Sequence, residues 1–293
     1  MNGKLKSTLI NYLFVLPAVL IFAIFYIYPF LKVFQLSMVE WDGILPTMQF
    51  IGLDNFKEIM QDKIWWDSMW HAGYITLIAL TFQNGLALLL ALVCDREIKG
   101  RNFFRVLFFV PPILSEVVVG LVWQWILDGN YGILNNLLSS IGLHSLVHNW
   151  LSDPKTALTC IAIVHSWKGF GWGFIIMLAG LQTIPRQLYE AARVDGAGSW
   201  QMFSKVTLPL MIPVFSMVVI LTILGSMQVF VLIIAMVGQG LVYHTTVPVL
   251  RILGAMTGSS RFGYACAQGI IFGLILIIIS FTQKKFSEKI KQA

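Results

Sequence analysis

One stretch decides how the rest of the chain is interpreted: Leu181–Pro209, which reads LQTIPRQLYEAARVDGAGSWQMFSKVTLP. It lies between two long apolar runs and is rich in helix-forming residues. Pro185 fits a first helical turn, where its missing N–H costs nothing. Gly196 and Gly198 then interrupt the pattern, which predicts two short helices with a bend between them. A structured connection between two apolar runs indicates a docking element that protrudes from them.

The remainder of the sequence is dominated by apolar runs. The chain of 293 residues is 57% hydrophobic and only 12% charged, far too little charge for the surface of a soluble domain. A helix of roughly 20 apolar residues crosses about 30 Å of hydrocarbon, and six runs reach that length. We therefore predict an all-α membrane protein, a single domain over residues 1–293, whose six spans are Asn11–Ser37, Trp70–Val93, Phe103–Leu127, Thr156–Gly180, Val206–Val237 and Tyr264–Thr282.

The orientation of the spans follows from the Lys and Arg residues. If the N-terminus is cytoplasmic, thirteen of the 20 basic residues lie inside and two lie within spans. Five lie outside: Lys57, Lys63, Lys155, Arg251 and Arg261. The positive-inside rule therefore predicts that both termini and the 181–205 loop are cytoplasmic.

Two charged residues stand within the predicted spans, Glu116 in the third and Lys168 in the fourth. Intramembrane charges are costly and usually face a cavity or a partner, so both are candidates for a substrate pathway. Gly169 and Trp172 share the helical face of Lys168, and an aromatic ring beside polar groups suits a sugar. The alternatives are a Glu116–Lys168 ion pair, snorkelling of Lys168, and simple helix packing at Gly169 and Trp172.

The fifth predicted span carries two hydroxyl residues one helical turn apart, Thr222 and Ser226. They are candidates for contact with substrate. Small hydroxyl residues in a span also join helices by hydrogen bonds, so that interpretation remains open.

Several function classes find no support in the sequence. A phosphate-binding G-x-x-x-x-G-K-[S/T] loop is absent, so ATP hydrolysis by that route would require another subunit. The five His and three Cys residues show no catalytic or metal-ligand spacing, which argues against a membrane enzyme. Basic clusters between apolar runs suit topology control, not nucleic-acid binding. An ion-coupled secondary carrier is the main rival, but it would leave the 181–205 loop unexplained.

The loop itself carries a family signature. Glu190-Ala191-Ala192, three residues, Gly196, nine residues and then Val206-Thr207-Leu208-Pro209 resemble the E-A-A-x3-G-x9-[I/V]-x-L-P signature of ATP-binding-cassette (ABC) importer permeases. The resemblance implies the type I ABC importer permease fold, with a cytoplasmic coupling helix in the 181–205 loop, hereafter the coupling loop. It implies that this helix docks on an ATPase subunit through Glu190, Ala191, Ala192, Asp195 and Gly196.

The resemblance extends over most of the chain and is similar to the maltose and glycerol-phosphate permease group. The matching residues include Asn55 in Gly52-Leu53-Asp54-Asn55-Phe56, Pro111-Pro112, Trp123, Gly132, Asn135 and Leu178-Ala179-Gly180-Leu181-Gln182. Two segments depart from that group. Val231 follows Phe230 where Asp is frequent, and Gly238-Gln239-Gly240-Leu241 replaces a Gly-Gly-Pro segment. The resemblance therefore transfers no single sugar specificity.

What the resemblance implies for function is an ATP-driven importer of a sugar or oligosaccharide in the bacterial cytoplasmic membrane. Its other parts would be a second homologous permease, two ATPase subunits that use ATP and Mg, and an extracytoplasmic solute-binding protein. This chain would need membrane lipid but no cofactor, metal or nucleic acid, and would not be an enzyme. The family's sugar contacts fall on the fourth and fifth spans, near Gly169, Trp172, Thr222 and Ser226. A sugar phosphate or a uronate oligosaccharide stays open as substrate because of Lys168.

Overall fold

The computed structural model describes residues 3–96, 99–238 and 243–292 and is almost entirely helical. Five helical segments are long and apolar enough to span a membrane, and a bent pair of helices makes a sixth if the pair counts as one span. The expectation of an all-helical membrane protein is confirmed. Residues group into two compact units, one comprising the chain up to Asp62 with Arg251–Leu274, the other comprising Lys63–Leu250 with the residues from Ile275 onward. The single domain over residues 1–293 stays a prediction.

The first unit begins with a continuous helical segment, α1 (Gly3–Phe22), a π-helical turn (Ala23–Ile27) and α2 (Tyr28–Ser37). From Tyr12 onward, most of its large apolar side chains are exposed in the isolated chain, which carries no penalty where the surroundings are hydrocarbon. Two short antiparallel strands follow, β1 (Val39–Glu40) and β2 (Gln49–Phe50), and then α3 (Asp54–Gln61).

A buried amide links α3 to the turn between α2 and β1 in this first unit. Asn55 is 4% exposed, and its Nδ2 donates to the carbonyl oxygens of Ser37 at 2.9 Å and Val39 at 3.1 Å. These carbonyls lie where α2 ends and β1 begins, so the side chain satisfies backbone groups that neither element can pair. The motif residue Asn55 therefore fixes the turn after the first span.

The second unit contains the second to fifth spans and the end of the sixth. Its helices are α4 (Lys63–Ile78), α5 (Asn84–Asp95), α6 (Arg101–Ile113), α7 (Glu116–Ile126), α8 (Ile133–Ser140), α9 (Ala157–Gln182), α10 (Arg186–Val194), α11 (Ser199–Met202), α12 (Leu208–Met227) and α13 (Val231–Val237). Helix α14 (Pro248–Thr257) starts in this unit, and α15 (Phe262–Gln292) ends in it. Short 3₁₀ turns occur at His144–Leu146 and Tyr243–Thr245. Two π-helical turns, Ala79–Gln83 and Phe203–Thr207, make α4–α5 and α11–α12 continuous.

Helix α9 is the centre of the second unit, and its glycines permit close packing. Positions 170, 174, 177 and 181 repeat at helical spacing and pack against Ala87, Ala91 and Cys94 of α5. A β-carbon on Gly173 would lie 3.2 Å from Cβ of Ala87 and 3.3 Å from Cγ1 of Val218. Spanning helices associate through close contact of small residues, because lipid tails are as apolar as the side chains.

The third predicted span, Phe103–Leu127, is not one straight helix. It consists of α6 and α7, which meet at an angle of 94°. Pro111 and Pro112 form the last turn of α6, and Leu114 and Ser115 are extended. Because neither proline has an N–H to bond to the preceding turn, the helix is weakened here and ends at Ile113 although the apolar composition continues.

The fifth predicted span, Val206–Val237, also divides. Helix α12 ends at Met227, and α13 starts after a break at Gln228–Phe230. Helix α13 packs on α7, where a β-carbon on Gly120 would clash with Ala235. Of the departing segment beyond α13, Gln239, Gly240 and Leu241 lie outside the described residues.

Candidate functional site

The coupling loop forms two short helices, α10 and α11, with a turn at Gly196. The backbone N–H of Ala197 donates to the carbonyl of Ala192 at 2.9 Å, and that of Gly196 donates to Arg193 at 3.0 Å. This pair of bonds is a Schellman motif, which requires the left-handed conformation that Gly196 adopts at φ +76°. The position of Gly196 in the signature thus has a local cause, because a side chain at 196 would strain the turn.

A second bend follows immediately. The N–H of Gly198 donates to Oε1 of Gln201 at 2.9 Å, which caps the start of α11. Both ends of the bend therefore have paired backbone groups. The loop is a defined turn, not a flexible linker.

Tyr189 anchors the loop to the spanning helices. Its phenolic oxygen lies 2.9 Å from Oγ1 of the buried Thr207, just before α12. Leu181 and Ile184 at the loop's start are buried in the cluster of α5, α9 and α12 side chains. Helix α10 is therefore fastened to the spans on either side of it.

The predicted docking residues lie on the outer surface of this anchored loop. Four are exposed and one, Ala192, is half-buried; the exposed ones are Glu190, Ala191, Asp195 and Gly196. Val194 and Trp200 beside them are 88% and 75% exposed. Both are large apolar side chains exposed on a polar loop, as is typical of interaction surfaces.

The structure brings the two intramembrane charges together. Nζ of Lys168 lies 3.8 Å from Oε1 of Glu116, and the side chains are 16% and 41% exposed. Glu116 is the first residue of α7, where the helix dipole favours an acid. The ion pair anticipated as an alternative is present, and contact of either residue with substrate stays a prediction.

Trp172 is exposed on α9 and has one aromatic neighbour. Its ring centroid lies 5.1 Å from that of Phe109 on α6, with the planes nearly perpendicular at 87°. The side chain is 57% exposed in the isolated chain. One face of the indole is thus free for a ligand or another subunit.

Thr222 and Ser226 are buried and hydrogen-bonded to the second span. Oγ1 of Thr222 donates to Oδ1 of Asn84 at 2.9 Å, and Oγ of Ser226 donates to Oγ1 of Thr76 at 2.8 Å. Ser226 also lies 2.7 Å from the carbonyl of Thr222. These contacts are the interhelical hydrogen bonds that the sequence analysis gave as the alternative to substrate contact for both residues. A substrate role for either residue stays a prediction.

Sequence reasoning missed the polar residues of the second span: Thr76, Gln83 and Asn84. All three are buried, at 8%, 7% and 7% exposed. Gln83 packs against Gly169, since a β-carbon at that glycine would lie 2.6 Å from Oε1 of Gln83. Adjacent amides in an otherwise apolar run were the signal that could have revealed Gln83 and Asn84.

Comparison with known proteins places the chain in a family. Residues 83–292 match the model of the binding-protein-dependent transport system inner membrane component. A probable ABC transporter permease protein of Pyrococcus horikoshii is 31% identical over 268 residues, covering 91% of both chains. The multiple sugar-binding transport system permease protein of Streptococcus mutans is 31% identical over 276 residues, covering 94% of both.

A solved structure has the same fold over the whole length. It is that of a bacterial alginate ABC transporter in complex with an alginate pentasaccharide-bound periplasmic protein. The TM-score is 0.86 at 25% identity, covering 99% of this chain and 98% of that chain. The chain therefore belongs to the family of inner membrane components of binding-protein-dependent transport systems, as a multi-pass, non-enzymatic permease subunit of an ABC importer.

Proposed function

We propose that this permease carries a sugar or oligosaccharide and is driven by an ATPase that docks on the coupling loop. The exposed apolar surface of that loop, with Val194 and Trp200 beside Glu190, is the observation that carries the proposal. Exposing these apolar side chains to water would not stabilise an isolated chain, which indicates that a partner covers them. A short helix with small residues at 191 and 192 can enter a cleft on a partner.

The substrate class rests on two supports. The Streptococcus mutans relative is named for multiple sugars, and the solved structure is of an alginate transporter. The chain itself offers an exposed indole, Trp172, beside the polar pair Lys168 and Glu116. Indole stacks on the C–H face of a sugar ring while charged and amide groups meet hydroxyls. A sugar phosphate or uronate oligosaccharide is the alternative that Lys168 would favour.

The proposed mechanism is alternating access. This chain and a second, homologous permease enclose the pathway, to which its proposed contributions are Glu116, Lys168, Gly169, Trp172, Thr222 and Ser226. Two ATPase subunits close when they bind ATP and Mg, and the coupling loop transmits that closure as rigid-body motion through Tyr189 and the buried start of the loop. An extracytoplasmic binding protein delivers the sugar when the pathway opens outward.

The orientation belongs to the same proposal. Both termini and the coupling loop lie in the cytoplasm, where most Lys and Arg residues then fall. That side is also where an ATPase finds ATP.

The test is copurification with the ATPase subunit after coexpression of the importer components. Val194→Asp should reduce the amount of ATPase retained at least tenfold, because an exposed apolar contact becomes a charge. Leu146→Asp is the matched control, since Leu146 is 52% exposed on a different loop. Equal retention with Val194→Asp and wild type would refute docking at the coupling loop, and uptake without any ATPase would favour an ion-coupled carrier.

A further inference from the structure

The side chain of Gln83 occupies the space beside Gly169 where a side chain would otherwise stand. A β-carbon at 169 would lie 2.6 Å from Oε1, 2.8 Å from Cδ and 3.0 Å from Nε2 of Gln83. The whole amide group, and not only its tip, therefore lies against the glycine. Gly169 is half-buried, so this amide sits next to the surface of α9 that also carries Trp172.

The backbone at Gln83 is unusual. Gln83 ends the π-helical turn Ala79–Gln83 that joins α4 to α5. Such turns insert one extra residue into a helix and occur frequently at functional sites. The insertion changes the register of the second span where its two adjacent amides, Gln83 and Asn84, meet α9 and α12.

The two amides differ in their hydrogen bonding. Oδ1 of Asn84 accepts from Thr222, so Asn84 links two helices although its Nδ2 has no partner among the described residues. Oε1 of Gln83 is buried and has no hydrogen-bond partner in the part of the chain that the structure describes. A buried acceptor without a donor destabilises a protein, so a structural link alone does not explain Gln83.

We propose that Gln83 is a specificity-determining residue of the sugar pathway, whose amide, seated against Gly169, hydrogen-bonds a hydroxyl of the passing carbohydrate. This inference rests on the proposed function, since it places Gln83 behind the predicted contact face of α9. A sugar hydroxyl is the donor that Oε1 lacks, and the amide N–H groups can donate to a sugar oxygen in return. An uncharged amide fits a hydroxyl without selecting for the charge of the substrate.

Thiol accessibility in the assembled importer tests this placement without a known substrate. In a background with Cys94, Cys160 and Cys266 replaced by alanine, the variants Gln83→Cys, Trp172→Cys and Gln268→Cys are treated with a membrane-impermeant trimethylammonium methanethiosulfonate. The reaction is followed in the resting state and in the vanadate-trapped state. Gln268 is the matched control, because it is a fully buried glutamine of α15 whose amide atoms also have no partner among the described residues.

We expect Gln83→Cys to react at least tenfold faster than Gln268→Cys in one of the two states. Equal, slow reaction of both with fast reaction of Trp172→Cys would overturn the role of Gln83 and leave the proposed pathway intact. Slow reaction of all three would overturn the pathway face as well. If Gln83→Cys does not assemble, Gly169→Cys combined with Gln83→Ala places a thiol in the space that the amide vacates. Reaction at least tenfold faster than that of Gln268→Cys supports the proposal, and inertness beside fast reaction of Trp172→Cys overturns it.

Discussion

The phenolic oxygen of Tyr189 lies 2.9 Å from the hydroxyl oxygen of Thr207, so that α10 is fastened to the beginning of the next span. This bond and the burial of Leu181 and Ile184 tie the coupling loop to the membrane helices. A loop without such anchors could change its orientation independently of the spans, and the movement of a docked partner would then not reach them. The bond is therefore a point where coupling can be weakened without touching the docking surface.

Tyr189→Phe should loosen the coupling loop. The change removes only the hydroxyl and about 0.5–1.5 kcal/mol of hydrogen-bond stabilisation. We expect faster amide exchange in α10 and more ATP hydrolysed for each sugar imported. Tyr12→Phe on the exposed first helix is the control. Unchanged exchange and an unchanged ATP-to-sugar ratio would contradict the role given to Tyr189.

Glu190→Lys should uncouple transport. Glu190 is exposed on the docking surface, and reversing its charge opposes the partner surface that accepts the wild-type helix. We expect uptake to fall at least tenfold, equivalent to about 1.4 kcal/mol, with normal membrane insertion. Glu288→Lys reverses an exposed charge on α15 and should have little effect. Normal uptake and normal stimulation of the ATPase by Glu190→Lys would remove the coupling role.

Glu58→Gln should lower the stability of the first unit at neutral pH but not in acid. Arg261 donates to both carboxylate oxygens of Glu58, at 2.6 and 2.5 Å, and these hydrogen bonds hold the pKa of Glu58 below its ordinary value of 4.5. A lowered folded-state pKa gives stability that is complete above about pH 4.5 and is lost as pH falls through the folded value. Both side chains are nearly half exposed, so solvent screening limits the effect to about 0.5–1 kcal/mol.

Thermal unfolding in detergent across pH 3–8, read at a fluorophore on α3, measures this effect on the first unit. The difference between wild type and Glu58→Gln should vanish at the acid end. Lys57→Ala, which removes a more exposed pair with Asp54, is the control expected to show a smaller difference. A difference that stays constant with pH would mean that Glu58 acts through packing.

A feature of this structure could be predicted from the sequence when neighbouring residues determine it. The two coupling-loop helices and their turn follow from Gly196 and neighbouring residues, so the sequence was sufficient for them. The 94° break after Pro111-Pro112 had a local signal, but continuous apolar composition concealed it. Span length alone cannot distinguish a straight helix from a bent one.

Other features depend on contacts between distant segments. The placement of Gln83 against Gly169 joins the second and fourth spans, and the bond from Thr222 to Asn84 joins the fifth and second. Helical periodicity assigns residues to faces but does not say which helix each face meets. Those pairings are decided by the packing of the whole unit. The sequence therefore suggested a substrate role for the hydroxyls of Thr222 and Ser226, which the structure shows hydrogen-bonded to the second span.

Reporter fusions should distinguish a bent span from a re-entrant loop at α6–α7. If the pair crosses the membrane once, reporters after Asp54, Asn149 and Gly258 lie outside and those after Gly100, Gly198 and Lys289 lie inside. If the 94° bend returns the chain to its starting side, Asn149 reports inside and the later reporters exchange sides. We expect the first pattern, because it keeps the coupling loop and the basic C-terminal segment in the cytoplasm.

Trp172→Ala and Lys168→Ala should separate a substrate-contact face from a packing face. The indole is 57% exposed, so its removal opens little internal cavity; it loses mainly the edge contact with Phe109, worth about 0.5–1.5 kcal/mol. We therefore expect Trp172→Ala to assemble normally and to hydrolyse ATP at the basal rate, while uptake falls about tenfold through lost stacking on the sugar. Phe281→Ala, which removes a 69% exposed ring on α15, is the control.

Lys168→Ala removes the partner of Glu116, and the double variant Glu116→Gln with Lys168→Met removes the ion pair without leaving either charge alone. If the amine reaches the pathway, both variants should shift the ratio of uptake between maltotriose and alginate trisaccharide toward the neutral sugar. A pair that only joins α7 to α9 would instead lower the amount of assembled importer in the single variant, restore it in the double variant and leave the ratio unchanged. Normal transport by Trp172→Ala and by Lys168→Ala would mean that this face of α9 packs against a neighbouring helix, and the proposed substrate contacts of both residues would be wrong.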